Sequence, residues 1–328
     1  MQTGKALCGT PIWNIVDMST VTVGMSETFG GTVSSTDILA AGTSMGAVTL
    51  HVANLDRMVG YYHLGVGLDV LAQAGDLAVL GRNNEAVIIL EYKPALSRPA
   101  LGSAGLYHTA ILFEDQISLA AAVYSIASKY PKSFTGSSDH MVSKALYFDD
   151  PEGNGVELYW DRAREDWSWD AQGHVRMDTL ALDPNAFLRE HVTAEALQGP
   201  VGNAGIGHVH LQVGDVRVAR AFYLDALGFE PTATSYPGAL FASAGGYHHH
   251  IAMNVWHSAG AGPRAASLGL GDVAVSVPAR EDLDALTARL SAKNVAFADD
   301  GRAVRVDDPW GTQVTVAVAG ATTDDLLA

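Results

Sequence analysis

Histidine is the residue type from which chemistry could be built in this sequence. His248, His249 and His250 stand side by side in Tyr247-His-His-His-Ile-Ala-Met253. His208 and His210 alternate with Val209, so they share one face of a strand. His108 lies in the apolar run Leu106-Tyr-His-Thr-Ala-Ile-Leu-Phe113. Glu157 sits between Val156 and Leu158 and points away from their face. Two neutral imidazoles and a carboxylate gathered on one face suit a divalent ion such as non-haem iron and leave coordination positions open. Each residue also has an ordinary reading: a histidine at a strand start is often a satisfied polar group, and a glutamate on a wet strand face is usually solvated. Three consecutive histidines in what reads as a strand are costly to bury without partners. Other catalytic patterns fail. Gly65-Val-Gly67 lacks the strand, turn and helix of a phosphate loop, and no Gly-x-Ser-x-Gly elbow occurs. The single cysteine, Cys8, excludes cysteine-rich zinc sites and an internal disulfide, which fits a reducing cytoplasm.

Whatever these side chains do, strands and helices must bring them together. With 328 residues, 48% of them hydrophobic and 17% charged, the chain can bury two cores. Lys and Arg number 20 against 36 Asp and Glu, a net charge of −16 that argues against nucleic acid and anionic membrane surfaces. No run of eighteen apolar residues marks a membrane span, and the first residues do not read as a secretory signal. Residues 1–45, rich in Ser, Thr, Gly and Ala, read as an N-terminal extension.

The rest repeats. Ala47-Val-Thr-Leu-His-Val and His208-Val-His-Leu-Gln-Val are alternating strands, each followed by a capping turn (Ala53-Asn54, Gly214-Asp215), a helix and a glycine stop. A second pair follows at a matching offset. One copy has a strand at 106–113, a helix over 116–129 and a hairpin at 144–159; the other has a strand at 271–277, a helix over 281–293 and a hairpin at 303–316. Both hairpins turn on Asp-Asp-Pro-x-Gly-x-x-Val, with Pro fixing φ and Gly supplying positive φ. Four modules result: one (47–92), two (106–160), three (207–256) and four (269–318). A linker at 161–204 holds Asp166-Trp-Ser-Trp169 and a short helix over 183–191.

Four βαβββ modules, one opened by Gly-His-Val-His-Leu-Gln-Val-Gly-Asp215 and another closed by Asp-Pro-Glu-Gly-Asn-Gly-Val-Glu-Leu158, resemble the glyoxalase, bleomycin-resistance and extradiol dioxygenase (vicinal oxygen chelate) superfamily from about residue 46 to 318. The chain is most similar to catechol 2,3-dioxygenase-like two-domain members. The resemblance implies an α+β fold of curved mixed sheets, with 46–160 as a first domain and 205–320 as a second. It puts metal ligands on the first strands of paired modules and on a module's last strand. At those positions stand Ala47, His108, His208 and Asp272, then Glu157 and Thr315. Only modules two and three together supply two histidines and a carboxylate, so the expected ligands are His108, Glu157 and His208. Familiar members pair modules three and four instead. The resemblance further implies that His249 handles protons, with Tyr147 and His140 beside the substrate. Strand parity conflicts, grouping His249 with Ile251 and Met253, so His250 remains an alternative. His250, Tyr159 and His210 are expected to face the substrate.

The implied activity is metal-dependent extradiol cleavage of a catechol-type diol with O2, in the cytoplasm. Fe(II) is the first expectation, with Mn(II) or Zn(II) as alternatives. A homo-oligomer is compatible with the sequence. Two alternatives stay open: a glyoxalase-like or epimerase-like metalloenzyme, and a non-catalytic protein that binds small aromatic molecules or drugs.

Overall fold

The computed structural model describes residues 37–198 and 202–320; most of the expected N-terminal extension, including Cys8, lies outside them. Module one contributes strand β1 (Ser44–Val52), helix α1 (Leu55–Gly60) running into a π-helical turn (Tyr61–Val66), and strands β2 (Asp69–Ala74), β3 (Leu77–Arg82) and β4 (Glu85–Tyr92). Module two contributes β5 (Gly105–Phe113), α2 (Gln116–Lys129), β6 (Phe134–Asp139), β7 (Ser143–Asp149) and β8 (Gly155–Asp161). The linker forms β9 (Leu180–Ala181) and α3 (Pro184–His191). Module three contributes β10 (Ala204–Gln212), α4 (Val216–Tyr223), β11 (Glu230–Ala233), β12 (Ala239–Ser243) and β13 (Ile251–Asn254). Module four contributes β14 (Gly269–Val277), α5 (Arg280–Ala292), β15 (Ala298–Asp299), β16 (Ala303–Asp307) and β17 (Gln313–Val318).

Helix starts follow the capping chemistry of the sequence. Asn54, Asp115, Asp183 and Asp215 each accept hydrogen bonds from backbone N–H groups of the first turn. No described helix is long and apolar enough to cross a membrane.

The strands form two curled mixed sheets. One has eight strands in the order β15-β16-β17-β14-β1-β4-β3-β2, and the other nine in the order β11-β12-β13-β10-β5-β8-β7-β6-β9. Modules one and four therefore share a sheet through the antiparallel pair β1 and β14, and modules two and three share the other through β5 and β10. Neither sheet coincides with 46–160 or 205–320: each takes one module from either stretch, because first strands pair across the linker.

Apolar side chains from both sheets and the helices form one continuous core. Two buried tyrosines tie the sheets together. Tyr62 donates to Asp150 at 3.2 Å, and Tyr223 donates to Asp308 at 3.0 Å. Both acceptors are the second aspartate of the repeated turn. Asp150 Oδ1 also accepts from the backbone N–H of Glu152 and Asn154, as Asp308 Oδ1 does from Trp310 and Thr312. Thus the helical segment of module one holds the hairpin of module two in the other sheet, and module three holds module four in the same way. Burial first, then the neighbouring carboxylate, pushes both phenols well above their usual range.

We expect Tyr62→Phe and Tyr223→Phe each to cost about 1–3 kcal/mol, since each leaves a buried carboxylate short of a donor. The effects should add, the contacts being separate. Urea unfolding of both variants and the double variant measures this; a double variant as stable as the parent would contradict the account.

Candidate active site

The concave face of the nine-stranded sheet carries the chemistry, and strand register explains why. His208 on β10 pairs with Ala110 on β5, Ala110 with Glu157 on β8, and Glu157 with Tyr147 on β7. One row across four strands thus reads histidine, alanine, glutamate, tyrosine. Ala110, fully buried, has too small a side chain to separate its neighbours. One step along, His210 pairs with His108. His108 Nε2 lies 2.9 Å from Glu157 Oε2, and His208 Nε2 lies 3.2 Å from the same oxygen. One ligand atom from each of the three residues lies within 4.8 Å of the others.

These residues are 7%, 3% and 2% exposed in the order His108, Glu157, His208. Despite its closeness to the carboxylate, His108 Nε2 lacks hydrogen-bond alignment and is buried without a partner; His208 Nδ1 is likewise unpartnered. Orphaned polar atoms of this kind are rare in a folded interior. Two imidazoles and a carboxylate aimed at one point are a donor set for a divalent transition metal, so the residues fit such an ion. Burial would raise the Glu157 carboxyl, but the His208 and His108 imidazoles outweigh it and hold the group well below the usual carboxylate range. Burial, ahead of the opposing pull of Glu157, pushes His208 down to about 4. A neutral imidazole and an ionised carboxylate are the protonation states a metal requires.

The three groups open into a cavity of about 910 Å³, which also takes in His140, Tyr147, His210 and His249. The ring nitrogens of His140 are both engaged: Nδ1 is 2.9 Å from the Asp178 carbonyl, and Nε2 is 2.8 Å from the Tyr147 hydroxyl. A carbonyl only accepts, so Nδ1 carries the proton of the neutral ring and Nε2 accepts from Tyr147. Burial, then the charge of Glu157, pushes the Tyr147 phenol well up, so it stays a donor.

A second chain fixes His249. Asp161 Oδ1 lies 2.9 Å from His248 Nε2, and the Nδ1 atoms of His248 and His249 are 2.8 Å apart. With both rings neutral, His248 donates its Nε2–H to the carboxylate, and its bare Nδ1 accepts from His249 Nδ1–H. His249 is left with a bare Nε2 as its remaining nitrogen. Burial first, then the surrounding imidazoles, pushes its pKa well below the ordinary value.

Two expected substrate contacts stand elsewhere. His250 does not line the cavity; its Nδ1 accepts from the Ala244 N–H, and its ring lies against Tyr247 and Phe229. Tyr159 packs its ring 4.9 Å from His208 and donates to the Tyr247 hydroxyl, which donates to Asp161. It braces a ligand from behind. The histidine run is not inside a strand as expected: β13 begins at Ile251. Gly245 and Gly246, both at positive φ, turn the chain, and Ser243 and Thr232 hydroxyls hold the carbonyls of Tyr247 and His248. Strand parity therefore does not govern 248–250.

No motif or periodicity in the sequence marks the rest of the cavity wall. Tyr107, on the opposite parity to His108, reaches it where the pairing of β5 and β10 slips between His210 and Leu211. Met177 and Thr179 come from the linker, and Tyr236, Phe241 and Trp256 from module three. Asp161 shares strand parity with Glu157 and Tyr159 on β8.

Two outcomes follow from this geometry. Ala110→Leu should lower metal affinity by about 100-fold by wedging His208 from Glu157, with overpacking costing about 1–3 kcal/mol. Titration with Fe(II) beside a thermal melt checks it, and unchanged affinity would refute the role of the small residue. The second concerns acid. His208 and His250, the latter pushed by burial down to about 3, stay neutral in the fold while the unfolded chain takes up protons near 6.5. Stability of the metal-free protein is therefore full above pH 6.5 and falls below it, by about 1.4 kcal/mol per pH unit for each such histidine. Urea midpoints between neutral pH and about pH 5 test this; a flat profile would contradict it.

Residues 205–316 match the model of the Glyoxalase/Bleomycin resistance protein/Dioxygenase superfamily. A Bacillus subtilis (strain 168) protein named catechol-2,3-dioxygenase is 37% identical over 282 residues, covering 84% of this chain and 98% of that relative. Among solved structures, one from Bacillus subtilis subsp. subtilis str. 168 superposes with a TM-score of 0.62 at 12% identity, covering 87% of each chain. Glyoxalase I from Zea mays gives 0.53 at 19% identity, covering 87% of this chain and 94% of its own. At such identities the superpositions speak for the fold. Together with the sequence relative, they establish that this chain is a member of the glyoxalase, bleomycin-resistance and dioxygenase superfamily, whose fold is that of the vicinal oxygen chelate proteins.

Proposed function

We propose that the chain is a cytoplasmic, metal-dependent extradiol dioxygenase that opens a catechol-type ring with O2. The observation that carries this reading is the buried set His108, Glu157 and His208 at the floor of a cavity that also holds His249 and the Tyr147–His140 pair. Among the described residues no fourth histidine, cysteine or acid joins the set, which favours a reaction needing open coordination positions over a four-ligand reading. The name of the Bacillus subtilis relative supports the same choice. Fe(II) is the proposed ion, and Mn(II) suits the same donors.

Bound there, the ion would supply Lewis acidity that lowers the pKa of a chelating diol and offer a face for O2. The protein's part follows from its own hydrogen bonds. His249 presents a bare Nε2 as acceptor for one hydroxyl proton of the incoming diol, a role that depends on the ion raising the diol's acidity because burial keeps this imidazole weakly basic. His248 and Asp161 hold that ring in the one tautomer able to accept it. Tyr147, kept protonated, donates to a substrate oxygen when its hydrogen bond to His140 is exchanged for one to the ligand. Glu157 brings one negative charge and the histidines none, so with a divalent ion and a singly deprotonated diol the site would be neutral overall. Burial of the set keeps water away from the reacting groups.

Metal analysis of anaerobically purified protein, parent beside His108→Ala, His208→Ala and Glu157→Ala, tests the proposal. We expect a stoichiometric ion in the parent, its loss in all three variants, and O2 uptake with catechol in the parent alone. A parent that takes up no ion even with added Fe(II) would refute the dioxygenase reading.

A further inference from the structure

One side of the cavity above the three ligands is built almost wholly of rings, while Ser138, Ser143 and Thr179 add hydroxyls elsewhere on its wall. Tyr107 meets Trp256 edge-on at 5.7 Å, and Tyr236 lies against Phe241 at 5.1 Å. His210 joins the two groups, 5.6 Å from Trp256 and 5.8 Å from Phe241. Met177 and Pro237 complete this side. Trp256 is anchored by its indole N–H on the Pro237 carbonyl at 2.9 Å and remains half-exposed. These side chains offer ring faces, edges and a thioether to a ligand, and the tyrosines add hydroxyls, but they offer no positive charge.

Among the described residues lining the cavity none is Lys or Arg, and the only ionised acid on the floor is Glu157. The basic residues nearest in sequence to the linker's entry are engaged elsewhere. Arg162 pairs with Asp139, and Arg164 donates to the carbonyls of Gly245 and Gly246. Beyond the described residues the chain has a single basic residue, Lys5. A carboxylate on a substituent lying against these walls, away from the ligand floor, would be desolvated with no basic side chain to pair with, in a chain whose net charge is −16. The space is also generous. About 910 Å³ is at the upper end of cavities that enclose drug-sized ligands, several times what an unsubstituted dihydroxybenzene fills.

We infer that the cavity selects an uncharged catechol bearing a bulky apolar substituent, alkyl or aryl, and rejects ring-carboxylated and side-chain-carboxylated diols. This inference rests on the proposed reading for the diol, but the selectivity itself belongs to the walls. Seated with both oxygens toward His108, His208 and Glu157, the ring directs its substituent between Trp256, Tyr107 and Phe241. There a phenyl group meets aromatic edges on several sides, and each such contact adds to the area buried.

Two measurements separate the inference from the function it rests on. Calorimetric binding to the metal-free protein compares 3-phenylcatechol, catechol and 3,4-dihydroxybenzoate. We expect the phenyl compound to bind about tenfold tighter than catechol, and the carboxylated diol about 100-fold more weakly than the phenyl compound. Turnover by the Fe(II)-loaded protein is then measured on the same three diols, with the same order in kcat/KM. Trp256→Arg, at a half-exposed position the fold should tolerate, is expected to reverse the preference by admitting the carboxylate and weakening the phenyl compound. Binding with the expected order but no ring cleavage would sustain the inference and sink the dioxygenase reading. Cleavage with the carboxylated diol bound as well as, or better than, the phenyl compound would overturn the inference and leave the reaction standing.

Discussion

A carboxylate held almost out of reach of water governs this molecule. Glu157 can stay ionised there only because His108 and His208 stand beside it, and an uncompensated buried charge would otherwise cost several kcal/mol. The compensation is incomplete within the protein, since His108 Nε2 touches the carboxylate without a hydrogen bond and finds no other partner. A cation between the three groups would counter the Glu157 charge and take up the unpartnered His108 nitrogen. The floor of the cup is therefore poorly satisfied without a ligand, a condition that folding tolerates where binding will relieve it.

Meeting that condition takes three strands drawn from distant parts of the chain. β5 and β8 are neighbours within one module, but β10 arrives from beyond the linker, about one hundred residues after β5 (210 against 108 for the paired histidines). The seam between β5 and β10 must form in a single register, because a slip of one residue would turn His208 and His210 to the opposite face. The Tyr62–Asp150 and Tyr223–Asp308 contacts restrain this from outside the sheet, by fixing each hairpin against a helical segment of the other sheet. Structural and chemical requirements thus meet at the same seam.

Much of this architecture was readable from the residues. The repeat of strand, helix and Asp-Asp-Pro turn exposed four modules, and helix limits such as Gln116–Lys129 emerged as expected because aspartates cap them. The distribution of His108, Glu157 and His208 over modules two and three pointed to the sheet pairing that the strands adopt. What escaped was whatever depends on local departures from regular strand. The apolar alternation after them suggests strand for His248–His250, but Gly245 and Gly246 at positive φ turn the chain just before them. Tyr107 shares a cavity with His108 only through a register slip that has no signature in the sequence. The linker's part in the wall, through Met177 and Thr179, is tertiary packing with no periodicity to announce it.

The eight-stranded sheet shows why duplication of a fold does not duplicate a site. Its cup encloses a cavity of about 880 Å³, close in size to the other. At the matching positions it carries Ala47, Asp272 and Thr315. There Thr315 donates to Asp272 at 2.8 Å, and burial, only partly offset by that bond, pushes the carboxyl up to about 6. An acid that can take a proton near neutral pH and is already hydrogen-bonded presents no demand for an ion. In the nine-stranded sheet the acid is driven the other way, held ionised by two imidazoles, each with a buried ring nitrogen left without a partner. The two cups share a backbone plan and a volume; what separates them is whether their polar groups satisfy each other or leave an interaction open. On that criterion the cup built from modules two and three is the one poised for a metal.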